Sequence, residues 1–463
     1  MTEKVIDTNT DILGGTPVFA GTRVPVRILI EYLEAGDRLD DFLDSYPTVS
    51  RNQAIEVLNQ AKTALTTNPN GERRFRPVRK WMIALITIVV IGAPATLAAQ
   101  VKVGMITTLS GGGSALGVAV RDGFKLAVEQ EGGKLGGTAV ELLVEDDARK
   151  SGKALQVANR FVKRDKVDIM TGIIWSNLAI AVVPKVVEAG VFYISPNAGP
   201  SKLAGKGCHE NYFNVAWQND NLHEAMGQHV AQKGYKNAYI LAPNYPAGKD
   251  ALRGFKRFYK GKLAGEVYTK LGQKDYAAEI AALRGADPDS VFFFLPGGMG
   301  ISFIKQYHQA GLTGKIPLFG PAFSFDQTIL GAVGDAALGV INSSQWNKDI
   351  DNPANKAFVA GFRKAYNRLP SLYASQGYDA ARLIGAALKS TGGNLSDKAA
   401  FRAALRKADF ESVRGSFKFG PNHHPVQDVH VREVVREGKV LTNKIVGKAF
   451  SDHADAYAGQ CKM

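Results

Sequence analysis

From Val101 onward the chain alternates between two hydrophobic periods. Short apolar runs with strand character (VKVGMIT, TAVELLV, VDIMTGI, VFYIS) are each separated by stretches whose apolar positions recur at helical spacing. SALGVAVRDGFKLAVEQ is such a helix and ends at Gly132-Gly133; GKALQVANRFVKRD is a second. LAIAVVPKVVEAG is a third, which Pro184 should bend or shorten. The rhythm restarts after about residue 220 with NAYILA, AGKDALRGFKRFYKG, AAEIAALRG, SVFFFLPG, MGISFIKQYHQAG and KIPLFG. Strand-helix alternation predicts parallel sheets covered by helices on both faces. Two such series predict an α/β body of two Rossmann-like lobes. A ligand then belongs at the carboxyl ends of the strands, in the cleft between lobes.

Residues 1–68 follow a different pattern. ILGGTPVFAGTRVPV places glycines at 14, 15 and 21 and prolines at 17 and 25, which suits short strands and tight turns. Three short helices are predicted after it: Val26–Ala35, stopped by Gly36; Leu39–Ser45; and RNQAIEVLNQAKTAL, capped by Ser50. Such a unit could be a helix-turn-helix. The string GG-x-P-x-x-x-GTR-x-PV with the following YLEAG and YPTVS resembles small antitoxin-like domains encoded beside bacterial toxins. The resemblance implies toxin or DNA contact, with Arg23 and Arg27 as the basic contacts. A structural role for Arg23 in bracing the turn is the alternative.

Between the two parts, residues 69–99 hold a linker and an export-type signal. Arg73, Arg74, Arg76, Arg79 and Lys80 form a basic flank, Trp81–Ile91 an apolar run, and Pro94–Ala99 a small-residue finish. No charge occurs from Trp81 to Gln100, enough length to cross a bilayer of roughly 30 Å. Two fates stay open: a signal peptide cut after Ala98 or Ala99, giving a periplasmic product, or an inner-membrane anchor that keeps the basic side in the cytoplasm.

The charge divides along the same lines. Residues 1–70 net −4, residues 71–80 net +4, and the remainder nets +14. The surplus is spread as single Lys and Arg residues along helical segments, which describes a solvated basic surface and not a nucleic-acid footprint. At 45% hydrophobic and 22% charged residues, a disordered or collagen-like chain is excluded. Both cysteines, Cys208 and Cys461, follow the export signal and suggest one disulfide.

Within the body, GMITTLSGGGSALG, VEDDARKSGKALQVANRFVKRDKVDIMTG, VEAGVFYISPNAG and NPANKAFVAGFRKAYNRLPSLYASQGYDAARL occur in order. Together they resemble the type I periplasmic solute receptors of ABC importers, the leucine/isoleucine/valine-binding group. The resemblance spans about residues 101–450. WQNDNLHEAMG and APNYPAGKDALRGFKRFYKG look closer to the branch that binds aromatic carboxylates. It implies one lobe built from about 100–217 and 345–425 and another from about 218–344 and 426–463. Lobe closure on a small organic acid, followed by docking on an inner-membrane ABC permease, is the implied activity. No cofactor or metal belongs to it.

The expected site follows loop by loop. The glycines of SGGGS (110–114) allow backbone N–H groups to approach an anion, with Ser110 adding a hydroxyl. A nucleotide fingerprint is the competing reading, but the spacing is G-x-G-x-x-x-G and no Lys-Ser/Thr follows. Ser176 reads as a helix N-cap; the family resemblance adds a carboxylate contact, with Trp175 as a ring wall and Asn197 and Gly199 completing the clamp. Tyr245, Met299 and Ala322 match pocket positions of the second lobe. The family's amino-acid receptors carry an acid at the Ala322 position to pair a buried ammonium. Here Phe323 follows instead, so unless Asp326 reaches in, an aromatic or related acid fits better and a branched-chain amino acid is the alternative. The candidate ligand-binding residues are therefore Ser110, Leu116, Trp175, Ser176, Asn197, Gly199, Tyr245, Met299, Ala322 and Phe323. Trp346 should line the hinge or the pocket, and Tyr378 and Asp379 serve as core and cap.

Catalytic signatures are missing: no H-E-x-x-H, G-x-S-x-G or Cys-x-x-Cys occurs. His423 and His424 would point to opposite faces of a strand, unsuited to one metal, and Glu145-Asp146-Asp147 reads as a solvent-facing turn. A receptor, not an enzyme, is expected. A membrane-anchored sensor, or a regulator acting through residues 1–68, is the reading from another class.

Overall fold

The computed structural model describes residues 5–8, 16–22, 24–34, 39–46, 48–67 and 100–463. Arg23 and the whole export-type segment lie outside them. The chain divides into two compact units, residues 1–93 and 94–463.

In the first unit β1 (Ile6–Asp7) pairs antiparallel with β2 (Val18–Phe19), followed by α1 (Val26–Glu34), α2 (Leu39–Ser45) and α3 (Arg51–Thr67). Ser50 caps α3 reciprocally. Its hydroxyl accepts from the Gln53 N–H at 3.2 Å while Gln53 Oε1 accepts from the Ser50 N–H at 3.0 Å. Phe19, Leu29, Phe42, Val49, Ala54 and Val57 form its small core, with the Phe19 and Phe42 rings 5.8 Å apart. Arg27 sits in α1.

The second unit begins with β3 (Val101–Thr107), α4 (Ser114–Gln130), β4 (Lys134–Leu135), β5 (Thr138–Asp146) and α5 (Ser151–Arg160). It continues through β6 (Ile169–Thr171), α6 (Ser176–Glu188), β7 (Phe192–Ser195), α7 (Ser201–Ala204) and β8 (Tyr212–Asn214). These strands make a six-stranded sheet in the order β4-β5-β3-β6-β7-β8, parallel except for β4. The near-continuous burial of β3, β6 and β7 explains why those runs are apolar instead of alternating, whereas β5, next to the sheet edge, is only half-buried and carries Glu141, Glu145 and Asp146. α6 passes through Pro184 for another turn instead of ending there. Val182, Val183, Val186 and Val187 are all buried on either side of it, and that burial outweighs one lost backbone hydrogen bond.

After α8 (Asn221–Gln232) come β9 (Asn237–Pro243), α9 (Pro246–Phe258), β10 (Lys262–Thr269), α10 (Ala277–Ala286) and β11 (Ser290–Phe293). Next are α11 (Gly298–Gln309), β12 (Leu318–Pro321), α12 (Gln327–Val333) and β13 (Ile341–Ser344). Three helices follow, α13 (Pro353–Tyr366), α14 (Leu372–Ser390) and α15 (Lys398–Lys407). The chain then closes with β14 (Lys418–Phe419), β15 (Pro425–Glu437) and β16 (Val440–His453). The second sheet runs β10-β9-β11-β12-β13-β15-β14, with β16 on β15; it is parallel through β13 and antiparallel beyond.

α14 returns to the first sheet's lobe and lies against α4 at backbone distance. A Cβ on Gly123 would stand 1.9 Å from the Ala374 carbonyl oxygen, and one on Gly377 2.0 Å from that of Val120, so both positions require glycine. Beyond the second sheet, Cys461 is disulfide-bonded to Cys208, between α7 and β8. The C-terminal residues are thereby fixed to the first lobe.

Candidate functional site

A cavity lies where the two lobes meet; its free interior, about 30 Å³, is well below the roughly 300–1,000 Å³ usual for small-molecule sites. Its walls come from the carboxyl ends of parallel strands. Ile174, Trp175 and Ser176 follow β6; Asn197 and Ala198 follow β7; Tyr245 and Ala247 follow β9; Phe294 and Pro296 follow β11; Phe323 follows β12. Leu116 of α4 and Tyr373 of α14 add to the first-lobe side. Trp217, Asn219 and His223 come from the segment crossing between lobes. No lysine, arginine, aspartate or glutamate lines it.

The rings form a box. Trp175 and Tyr245 face each other across the cleft with centroids 6.3 Å apart, Tyr245 stacks toward Phe294 at 6.3 Å, and Trp217 packs on Phe323 at 4.5 Å. Trp175 is held from behind: its Nε1 donates to Thr108 Oγ1 at 2.9 Å, and Thr108 donates to Asp147 Oδ1 at 2.7 Å. The Arg149 guanidinium lies 5.4 Å over the Trp175 ring.

The polar end is the start of α6. Trp175, not Ser176, occupies the N-cap and offers no side-chain acceptor; the first intrahelical bond is from the Ala179 N–H to the Trp175 carbonyl. The earlier N–H groups are the usual orphans of a helix start, and Ser176 is the first helical residue beside them. Asn219 Nδ2 donates to Ser176 Oγ at 3.0 Å and to Asp250 Oδ2 at 3.0 Å, while Asn219 Oδ1 accepts from the Gly199 N–H at 3.2 Å. Since an amide NH₂ can only donate, the Ser176 hydroxyl keeps its own hydrogen to give elsewhere. Burial raises the Tyr245 phenol well above its ordinary value, with Asp250 adding to the shift, so Tyr245 stays a neutral donor. Burial pushes His223 down to about 4, keeping it neutral.

The lobes are engaged around this space. Ser201 on the first lobe donates through its N–H (3.0 Å) and hydroxyl (2.7 Å) to Asp250 of α9, and the Leu372 N–H donates to Asp326 Oδ2 at 3.0 Å.

Of the ten residues expected at the site, Leu116, Trp175, Ser176, Asn197, Tyr245 and Phe323 line the cavity. Four do not. The Ser110 hydroxyl is given to Asp146 Oδ2 at 2.6 Å. At Gly113 a Cβ would stand 2.6 Å from the Trp175 ring, so glycine there lets the indole pack close. Gly199 spends its N–H on Asn219. Met299 is turned away, its sulfur accepting from the Gly272 N–H at 3.2 Å, and Ala322 is buried in a short turn beside the cavity.

Asp326 does not reach in; it caps α12 through the Thr328 N–H at 3.0 Å as well as holding Leu372. Asp147 is fully buried and not solvent-facing; its Oδ1 accepts from Thr108 and from the Arg149 N–H, while its Oδ2 has no partner. Trp346 is buried outside the cavity and donates to Asn355 Oδ1 at 2.8 Å. Asp379 is paired with Arg414 at 3.0 Å, and the Tyr378 hydroxyl donates to Gln130. His423 stacks on Phe213 at 4.0 Å; among the described residues no cluster fit for a metal occurs, and no helix is long and apolar enough to cross a membrane.

The sequence reading missed Trp217, Asn219, His223, Phe294 and Tyr373. The signal available for the first three was WQNDNLHE itself, a polar stretch holding a tryptophan and a histidine between two strand-helix series.

Residues 100–439 match the family described as periplasmic binding protein. A solute-binding protein of an ABC transporter from R. palustris, solved with benzoate, is 33% identical; the match covers 79% of this chain and 100% of that one with a TM-score of 0.75. Another, from Rhodopseudomonas palustris BisB5 and solved with 3,4-dihydroxy benzoic acid, is 29% identical over 77% of this chain and 99% of that one, with a TM-score of 0.71. A Leu/Ile/Val-binding protein homolog of Brucella melitensis is 26% identical over 370 residues, 78% of this chain and 94% of that protein. Residues 6–60 match a separate family of unknown function (DUF433), which lends no support to the expected toxin or DNA contact. With a two-lobed fold, a cleft at the strand ends and a family match across most of its length, the chain belongs to the periplasmic binding proteins, solute receptors of ABC transporters and not a class of enzymes.

Proposed function

We propose that this receptor takes a small aromatic carboxylate in the periplasm and delivers it to an ABC permease of the inner membrane. The observation that carries the reading is the cavity lining, six aromatic side chains and a histidine with no acidic side chain. An amino acid would bring a buried ammonium into a space with no carboxylate to pair it, at a cost of several kcal/mol. A ring with one carboxylate matches the surroundings at both ends. The rings give it flat apolar faces, and the start of α6 with the Ser176 hydroxyl gives its carboxylate hydrogen-bond donors and the positive end of a helix dipole.

Affinity for the closed arrangement over the open one is then the source of the switch. A ligand touching Trp175 and Ser176 on one lobe and Tyr245 and Phe323 on the other favours the state in which both are close. The basic, apolar and small-residue order of residues 73–99 supports export, and the likeness to ABC-transporter receptors supports the permease as partner. Calorimetric titration of the purified chain with benzoate, hydroxybenzoates and isoleucine tests the reading. Micromolar or tighter binding of an aromatic acid, with isoleucine silent, is expected; isoleucine binding without any aromatic acid would sink it.

A further inference from the structure

The cavity contains two buried acceptors with nothing to accept from. His223 is 1% exposed, and its Nδ1 lies 2.6 Å from the Asn219 carbonyl oxygen. A carbonyl has no hydrogen to give, so Nδ1 carries the proton of the ring. Phe292, Phe294 and Phe323 surround the imidazole at 5.9, 5.0 and 5.9 Å, surroundings that disfavour a second proton. The remaining nitrogen, Nε2, is then a lone pair, and it has no partner. Asn197 is 5% exposed; its Nδ2 donates to the Ile174 carbonyl at 2.7 Å, and its Oδ1 has no partner either. Buried acceptors left unmatched are costly, and a benzoate ring brings neither of them a hydrogen.

We propose that the ligand is a hydroxylated aromatic acid and that His223 Nε2 accepts its ring hydroxyl, with Asn197 Oδ1 as the second acceptor for a further hydroxyl or a bridging water. This rests on the aromatic-acid reading above and narrows it. An ammonium could also donate to both atoms, but neither acceptor is charged, and no acid lines the cavity to balance it. A hydroxyl satisfies the same lone pairs without bringing charge inside. Sites built to hydrogen-bond a substrate hydroxyl discriminate strongly against the analogue lacking it, because their own polar groups are then stranded.

The test compares benzoate, 3- and 4-hydroxybenzoate, 3,4-dihydroxybenzoate and isoleucine by titration of the full chain and of its His223→Phe variant. In the unsubstituted chain at least one hydroxylated acid should bind about tenfold or more tighter than benzoate. His223→Phe should remove that preference, bringing the hydroxylated acid to within about threefold of benzoate in the same variant. Because the variant could fold poorly, ¹⁵N NMR of the labelled imidazole in the unsubstituted chain gives a second readout: Nε2 should shift with the preferred hydroxylated acid and not with benzoate. Benzoate binding as tightly as every hydroxylated acid, or an Nε2 that the preferred acid leaves unmoved, overturns the inference while leaving the aromatic-acid reading intact. Binding of isoleucine alone overturns both.

Discussion

The segment Trp217–Glu224 divides into two sides with opposite chemistry. Trp217, Asn219 and His223 face the cavity, where no charge is present. Gln218, Asp220 and Glu224 face away into a dense charged cluster. Asp220 accepts from Arg257 at 2.9 Å, Arg253 at 3.4 Å, Gln218 at 3.1 Å and the Tyr457 hydroxyl at 2.7 Å. Glu224 pairs with Arg257 and with His453 Nε2, the latter at 2.6 Å. Both sides are buried, so burial alone does not distinguish site from scaffold. The cluster's groups nearly all partner one another, whereas the cavity's groups keep donors and acceptors in hand. Free hydrogen-bonding capacity in a dry space marks the binding side; saturated charge marks the side that holds the crossing segment in place.

If that division is correct, the largest effect on stability should come from the charged side and leave affinity alone. Glu224→Ala leaves His453 without its carboxylate and Arg257 with Asp220 alone, and should cost about 3 kcal/mol, the lower end for breaking a buried pair because Arg257 is 29% exposed and keeps that second partner. The apparent Tm should fall by roughly 5–10 °C, with the ligand Kd at 20 °C within about twofold. A tenfold change in Kd would show that the cluster tunes the cavity.

The next effect separates the two sides by pH. His223, lowered to about 4 by burial, binds its proton more weakly when folded than when unfolded. Its contribution is complete above the ordinary value of 6.5, and stability falls as pH drops from 6.5 toward 4, by about 3 kcal/mol for this one group. Glu224 behaves differently: burial raises it, but His453 and Arg257 outweigh this and hold it below 4.5, so its share is lost only beneath that pH. Melting curves of the unsubstituted chain and His223→Phe between pH 7 and 4 should converge as pH falls. Parallel curves would refute a neutral buried imidazole.

Affinity is the third arm. Ser176→Ala removes one donor from the polar end of the cavity and should weaken binding by about 1–3 kcal/mol, roughly 5- to 150-fold, with the ligand-free Tm little changed. Unchanged affinity would take α6 out of the carboxylate site.

How much of this could be read from the chain follows the same line. Strand-helix alternation is local, so VKVGMIT, VDIMTGI and VFYIS announce the first sheet, and the strand-end rule places Trp175, Ser176 and Tyr245 near a cleft. WQNDNLHE has no settled period, and which of its side chains face the cavity is decided only when α8 packs against α9 and the second sheet. The i, i+4 pairs Asn219/His223 and Asp220/Glu224 are visible afterwards as two faces of one turn. The Ser110 hydroxyl turns to Asp146, 36 residues away, and Tyr373 was overlooked because α14 reaches the cavity only on the chain's second pass through the first lobe. Contacts of that kind have no local signature.

The smallest effect tests the far edge of the charged side. Tyr457 stands in the C-terminal segment that the Cys208–Cys461 disulfide fixes to the first lobe, and its hydroxyl donates to Asp220 Oδ2 at 2.7 Å. Tyr457→Phe keeps the ring over which Arg253 and Arg257 lie, at 5.4 and 5.6 Å, and deletes that hydrogen bond and the longer one, 3.2 Å, that the hydroxyl accepts from Arg257. Asp220 retains both arginines and Gln218, so the loss should be about 1 kcal/mol, a small drop in Tm. Ligand affinity should not move, because Asp220 points away from the cavity and Asn219, its neighbour, is held independently by Asp250 and Gly199. A ligand-binding defect in Tyr457→Phe at unchanged Tm would mean that the tail acts on the crossing segment itself. The charged side would then be part of the closing movement and not merely its support.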